Sequence, residues 1–193
     1  MHVEQTGLPG LLLIEPKCFR DARGFFLESF QDERYRAAGI AENFVQQNHS
    51  HSTKGVLRGL HFTVKNPQAQ LVTVMHGCVF DVAVDLRPDS PTFGRWYGAQ
   101  LSEDRPRQLY MAPGFGHGFC VLSDTADLHY NVSRIYDHDD EGGVVWNDPQ
   151  IGIKWPIENP IISPRDGGYP SLRELGRKRL PHVVGAGGEP PVL

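Results

Sequence analysis

Phe80-Asp81-Val82-Ala83-Val84-Asp85-Leu86 decides the fold class, because Phe80, Val82, Val84 and Leu86 fall on every second position with Asp81, Ala83 and Asp85 between them. A period of two sends alternate side chains to opposite faces, so the segment predicts a half-buried strand. Leu128, Tyr130 and Val132 alternate with His129, Asn131 and Ser133 in the same way. Further strands are expected at Leu11–Ile14, Phe25–Phe30, Phe44–His49, Val56–Phe62, Leu71–His76, Arg95–Leu101, Gln108–Met111 and Gly118–Leu122. Turn residues separate them at Arg87-Pro88-Asp89-Ser90-Pro91, Ala112-Pro113-Gly114 and Asp140-Glu141-Gly142-Gly143. One helix is predicted over Gln31–Ala38, closed by Gly39 at the position after its C-cap. Many short strands, Gly/Pro turns and few short helices argue an all-β jelly-roll sandwich or barrel.

The chain has 193 residues, enough for a single domain with a real core. That domain is expected over residues 1–175. From Gly176 the chain turns basic, then Gly/Pro-rich, so 176–193 reads as a loose tail. A hydrophobic content of 39% and a charged content of 22% are those of an ordinary soluble protein. The net charge of -4 offers no basic footprint for nucleic acid. No segment approaches membrane-span length, and Met1 to Gly10 lacks the pattern of a secretory leader. Cys18, Cys78 and Cys120 are odd in number and scattered, which reads as buried thiols in a reducing, cytoplasmic setting.

Two groups of residues suggest chemistry. His49-Ser50-His51 has the spacing that puts two rings on one face of a strand, and His117 offers a third ligand for a metal. No carboxylate follows His51 closely, and Ser52-Thr53-Lys54-Gly55 reads as a turn, so both histidines are expected on an exposed loop without metal. The second group is Arg58-Gly59-Leu60-His61-Phe62 with Tyr130 and Asp166. In an ideal strand Arg58 and His61 face opposite ways; they share a site only if Gly59 allows a bulge. A neutral imidazole removes a proton next to a ketone if a carboxylate orients it, and a Tyr hydroxyl suits the opposite face. Taken singly, each residue also has a structural reading: a packed His, a surface Arg, a core Tyr with its hydroxyl satisfied.

The residues resemble the dTDP-4-dehydrorhamnose 3,5-epimerases over about Leu11 to Pro170. The resemblance rests on Asp21-Ala22-Arg23-Gly24-Phe25-Phe26-Leu27-Glu28, Phe44-Val45-Gln46-Gln47-Asn48-His49-Ser50 and Gly55-Val56-Leu57-Arg58-Gly59-Leu60-His61-Phe62. Phe80 to Arg87, Ser90-Pro91-Thr92-Phe93-Gly94, Pro113 to Phe119 and Trp146-Asn147-Asp148-Pro149 extend it. It implies a cupin-fold epimerase without metal or cofactor, acting on a dTDP-linked 4-keto-6-deoxyhexose. It also implies a homodimer whose subunits exchange strands. His61 would be the base, Asp166 its partner and Tyr130 the acid. Substrate binding would fall on Arg23, Glu28, Gln46, Asn48, Arg58, His117, Glu141 and Arg165, with Phe19, Phe26 and Tyr136 as aromatic faces. Arginines suit a diphosphate because guanidinium pairs bidentately with its oxygens. Gln70 departs from the family pattern, which has a Lys before Leu71-Val72, and Asn131 stands where a basic residue often follows the Tyr. A charge-bearing donor of that kind is typically worth about 3 kcal/mol to a developing enolate, so Gln70 marks the point where this substrate-binding set differs. Lys65 is one possible compensation. A C3- or C5-only monoepimerase, another cupin sugar-nucleotide isomerase, and a sugar-nucleotide-binding protein without activity are the alternatives to a double epimerase.

Overall fold

The computed structural model describes residues 1–183. In chain order its elements are β1 (His2–Gln5), β2 (Leu11–Glu15), β3 (Cys18–Asp21), β4 (Gly24–Leu27), α1 (Asp32–Ala37), β5 (Gln46–Thr53), β6 (Leu57–Thr63) and β7 (Gln70–His76). There follow β8 (Cys78–Asp85), β9 (Trp96–Ser102), β10 (Gln108–Met111), β11 (Phe115–Val121), β12 (Thr125–Val132), β13 (Glu141–Gly143), α2 (Pro164–Gly167) and α3 (Leu172–Leu175). A six-stranded sheet, β1-β2-β10-β7-β12-β5, faces a five-stranded sheet, β13-β6-β11-β8-β9, while β3 and β4 form a separate hairpin. This is the expected jelly-roll architecture of the cupin type.

Three apolar cores follow from the strand parity. The chamber between the sheets holds Leu13, Val72, Val74, Ala83, Met111, Phe119 and Leu128, with Tyr130 packed against them. Tyr35 and Ile40 cover the outer face of the six-stranded sheet, against Leu12, Ile14 and Leu71. Leu172, Leu175 and Leu180 cover the outer face of the other sheet, against Leu60, Phe62, Val82 and Val84. Strand β8 is therefore buried on both faces rather than half-buried. Its apolar set packs outward under the C-terminal segment, and the set that includes Asp81 and Asp85 points inward. Asp85 accepts hydrogen bonds from Ser90 Oγ at 2.5 Å and Thr92 Oγ1 at 2.6 Å, and pairs with Arg87 at 2.7 Å, which closes the turn after the strand. Burial pushes the Asp85 carboxyl up, but these donors outweigh it and hold it below the usual carboxylate range.

Several sequence expectations are corrected. Strand β5 runs on to Thr53, so His51 is in a strand rather than a loop, because β12 pairs with its whole length. Glu141-Gly142-Gly143 is a strand on the edge of β6 rather than a turn. Asp140 anchors it by accepting from the Lys65 and Asn66 amides at 2.6 and 2.8 Å. Of the cysteines only Cys120 is buried; all three are free thiols. The first part of the expected tail is packed: Leu180 is buried, and the His182 amide donates to the Val64 carbonyl at 2.7 Å. The remainder, 184–193, lies outside the described residues.

Between β6 and β11 the register shifts: His61 pairs with His117, yet Arg58 pairs with Phe119, so β6 carries one extra residue. Gly59 lies at the shift with φ of 121°, and a Cβ there would stand 2.6 Å from Gly118 Cα and 2.7 Å from the His117 carbonyl oxygen. Both neighbours are backbone and have no room to give. Gly59→Ala should therefore destabilise the fold by about 2 kcal/mol or more, read as a fall in the urea midpoint. An unchanged midpoint would contradict this account of the bulge.

Candidate active site

The extra residue at Gly59 turns Arg58 and His61 toward the same side of β6, opposite their register partners Phe119 and His117. Phe119 belongs to the inter-sheet core, so both side chains look into the chamber or its mouth, while Leu60 and Phe62 pack outward. A cleft of about 510 Å³ opens there, lined by Arg58, His61, Ser163, Arg165 and Asp166 among others.

Asp166 holds this arrangement together. It lies on the one-turn helix α2, capped by Ser163, whose Oγ accepts from the Asp166 amide at 3.0 Å. One carboxylate oxygen stands 2.9 Å from His61 Nε2, and the other accepts the Gly59 N–H at 3.1 Å. Burial pushes the Asp166 carboxyl up, but hydrogen bonding and charge from His61, with the Gly59 and Ser163 contacts, outweigh it; the group sits below the usual carboxylate range. An ionised Asp166 places the shared proton on Nε2, and among the described residues His61 Nδ1 has no hydrogen-bond partner. The Tyr169 ring meets His61 edge-on at a centroid distance of 5.8 Å. Burial pushes its hydroxyl up to about 12, so it stays protonated.

The facing wall comes from β12, β5 and β7. Tyr130 is the register partner of Val72 and Asn48, and Val132 is that of Gln70 and Gln46. Since Val72 belongs to the inter-sheet core, Asn48, Tyr130, Gln46 and Gln70 share the inner face. Gln46 Nε2 donates to Asn48 Oδ1 at 2.7 Å, and Gln46 Oε1 accepts the Tyr136 amide at 3.0 Å. Burial raises the Tyr130 phenol; Arg58 works against that rise and Glu141 adds to it, so the hydroxyl remains a proton donor. Gln70 is buried, and among the described residues its Oε1 has no hydrogen-bond partner. At the rim Glu141 accepts a bidentate pair from Arg165 at 2.8 and 3.0 Å and the Tyr136 hydroxyl at 2.8 Å. Arg58 donates to Ser52 Oγ at 3.0 Å.

The fold thus gathers His61, Asp166, Tyr130, Arg58, Gln46, Asn48, Gln70, His117, Tyr136, Glu141 and Arg165. It does not bring Phe19, Arg23, Phe26 and Glu28 to them within one chain. Phe19, Arg23 and Phe26 lie on the β3–β4 hairpin, where Phe19 and Phe26 are exposed. Arg23 pairs with Asp21 and Glu28 with Arg34. The hairpin borders a separate groove with Thr73 and Met75. Two residues of the site were not singled out from sequence: Asp81, which stands 3.0 Å from His117 Nε2, and Tyr169. Asp81 sits two residues from Ala83, the register partner of His117, but only the pairing of β8 with β11 makes that legible.

His49 and His51 do have a carboxylate, supplied across the sheet rather than along the chain: Asp127 Oδ1 lies 2.7 Å from His49 and 3.0 Å from His51. They occupy the outer face, with His49 against His129, while His117 faces inward, so the three cannot share an ion. Among the described residues no group of three or more His, Cys, Asp or Glu is placed to hold a metal.

Comparison with known proteins shows the family and the fold. The family model described as dTDP-4-dehydrorhamnose 3,5-epimerase matches residues 5–174. A Shigella flexneri protein of that name is 50% identical over 168 residues, covering 86% of this chain and 93% of the relative. A dTDP-4-dehydrorhamnose 3-epimerase of Streptomyces niveus is 44% identical over 168 residues, covering 86% of this chain and 81% of the relative. The dTDP-6-deoxy-D-glucose-3,5-epimerase of Legionella pneumophila, solved with dTDP-4-keto-L-rhamnose, superposes with a TM-score of 0.91 at 45% identity, over 95% of this chain and 98% of that one. Jelly-roll fold, polar inter-sheet chamber and sequence together place this chain in the dTDP-4-dehydrorhamnose 3,5-epimerase family of isomerases.

Proposed function

We propose that this chain inverts C3 and C5 of a dTDP-linked 4-keto-6-deoxyhexose, with His61 as base, Asp166 as its orienting carboxylate and Tyr130 as acid. The observation that carries the reading is His61 on one sheet, held by Asp166 from α2, with Tyr130 on the facing sheet. His61 Nδ1 takes the proton from the carbon beside the ketone, and the C–H pair becomes an enolate. The Tyr130 hydroxyl returns a proton to the other face, which inverts the centre. Gln46, Asn48, Arg58, Glu141 and Arg165 would hold the sugar nucleotide, and Tyr136 at the rim offers a ring to the thymine. Incubation with dTDP-4-keto-6-deoxyglucose in heavy water should place deuterium at both carbons, read by NMR. His61→Asn and Tyr130→Phe should each lower product formation by about a hundredfold or more; undiminished formation in either variant would remove that residue from the mechanism.

Asp166 has to stay ionised to orient His61. A carboxyl held below its ordinary value adds stability that is complete above that value, about 3.9, and that is lost as the pH falls through the folded-state value. The stability gap between the protein and Asp166→Asn, read from urea midpoints, should therefore be widest near neutral pH and narrow below about pH 4. A gap that stays constant on acidification would contradict an ionised, hydrogen-bonded Asp166.

The working form we propose is a cytoplasmic homodimer whose β3–β4 hairpins exchange. The support is that the hairpin pairs with neither large sheet and carries exposed Phe19, Phe25 and Phe26. Phe19, Arg23, Phe26 and Glu28 then serve the neighbouring subunit's chamber. Mixing inactive Arg23→Ala with inactive His61→Asn and allowing subunits to exchange should restore activity, because one chamber in each mixed dimer is intact. No recovery in a verified mixed dimer would place the hairpin residues in their own subunit's site.

A further inference from the structure

The chamber holds a second histidine–carboxylate pair to which the mechanism above gives no part. Asp81, on β8, is completely buried, and both of its oxygens meet one atom, Nε2 of His117, at 3.1 and 3.0 Å. Among the described residues no other hydrogen bond ends on that carboxylate. Two near-equal distances fit an N–H shared between both oxygens of a carboxylate, so Nε2 carries the proton, and among the described residues Nδ1 has no hydrogen-bond partner. His117 is also the register partner of His61. Directly opposed residues of an antiparallel pair project to the same side, so the two pairs stand next to each other, His61 toward the mouth and His117 deeper.

A carboxylate withdrawn from water needs a compensating charge, and among the described residues this imidazole is the group that hydrogen-bonds to Asp81. The proposed reaction needs a positive group as well. When the C–H electron pair moves into the carbon–carbon bond, the carbonyl pair moves onto oxygen, and that oxygen must meet a donor. The other cations are engaged at the rim: Arg58 donates to Ser52 and to the His51 carbonyl, and Arg165 is held by Glu141. The facing wall carries Gln70, which is neutral; it shares the inner face with Met111, its register partner, and with Val72.

On the epimerase reading above, we propose that Asp81 and His117 form an ion pair whose imidazolium donates its Nδ1–H to the enolate oxygen, with Asp81 as the positioning residue. Proton and electrons balance. His61 gains the carbon proton, the oxygen holds the displaced pair while hydrogen-bonded to His117, and protonation by Tyr130 re-forms the carbonyl. His61 and Tyr130 then return to their starting states by exchange with solvent.

The experiment measures deuterium uptake from heavy water into dTDP-4-keto-6-deoxyglucose, together with dTDP affinity by calorimetry. His117→Gln should slow uptake about a hundredfold while dTDP affinity stays within about threefold. Asp81→Asn should slow it in the same direction by less. Adding Gln70→Lys to His117→Gln supplies a cation from the facing wall and should recover about tenfold or more, exceeding the gain from Gln70→Lys alone. A loss of dTDP affinity in step with uptake, or no recovery in a double variant that still binds dTDP, overturns the proposal. So does full uptake by His117→Gln, which leaves the epimerase reading standing; no uptake by the unaltered protein overturns both. Histidine 15N NMR of the unaltered protein adds a check that needs no folded variant: a buried histidine with both nitrogens protonated near neutral pH supports the ion pair, and its absence overturns it.

Discussion

The Asp166 carboxylate, shared between the Gly59 amide and His61 Nε2, is the interaction on which the site depends. It joins residues that are more than a hundred positions apart in the chain. One oxygen satisfies a backbone donor left over where β6 and β11 lose register, and the other fixes the imidazole. The bulge and the base are thus held by the same group. Helix α2 is only one turn long, yet Ser163 caps it, and that cap sets where the carboxylate stands.

The chamber owes its polar content to a division of labour between the cores. Apolar burial is shared among the inter-sheet space, the face under Tyr35 and Ile40, and the face under Leu172, Leu175 and Leu180. With two outer covers in place, the inter-sheet space does not have to be wholly apolar, and it admits Asp81, His117, Gln70 and Tyr130. The buried carboxylates have their partners: Asp81 has His117, Asp85 has Ser90, Thr92 and Arg87, and Asp166 has His61 and Gly59. Gln70 Oε1 and Ser50 Oγ, on the inner face, have no hydrogen-bond partner among the described residues.

Much of the strand pattern was legible, because period-two alternation and Gly/Pro turns are local signals. The elements missed were those whose signal is not local. The edge strand β13 reads as a Gly-rich turn until Asp140 and the end of β6 hold it. Leu180 looks like part of a tail until the outer face of the second sheet needs a cover. The site residues on β5, β6, β11 and β12 stood out by type and by resemblance. Asp81 and Tyr169 did not, since a lone Asp in an alternating strand and a Tyr after two glycines are ordinary.

The sequence alone determined the jelly-roll class, the place of most strands, the need for glycine at position 59 and the family. The first three follow from residue type and short-range spacing, and the family from the resemblance of whole sequence blocks. Only the tertiary structure decided which face of each strand looks inward. In Phe80 to Leu86 the alternation marks two faces but cannot say which is the core: the apolar set packs under the C-terminal segment and the aspartates turn into the chamber. It likewise sent His49 and His51 outward to Asp127, sent His117 inward to Asp81, and left the β3–β4 hairpin outside both sheets. The reason is that a face is chosen by what covers it, and the cover comes from distant parts of the chain.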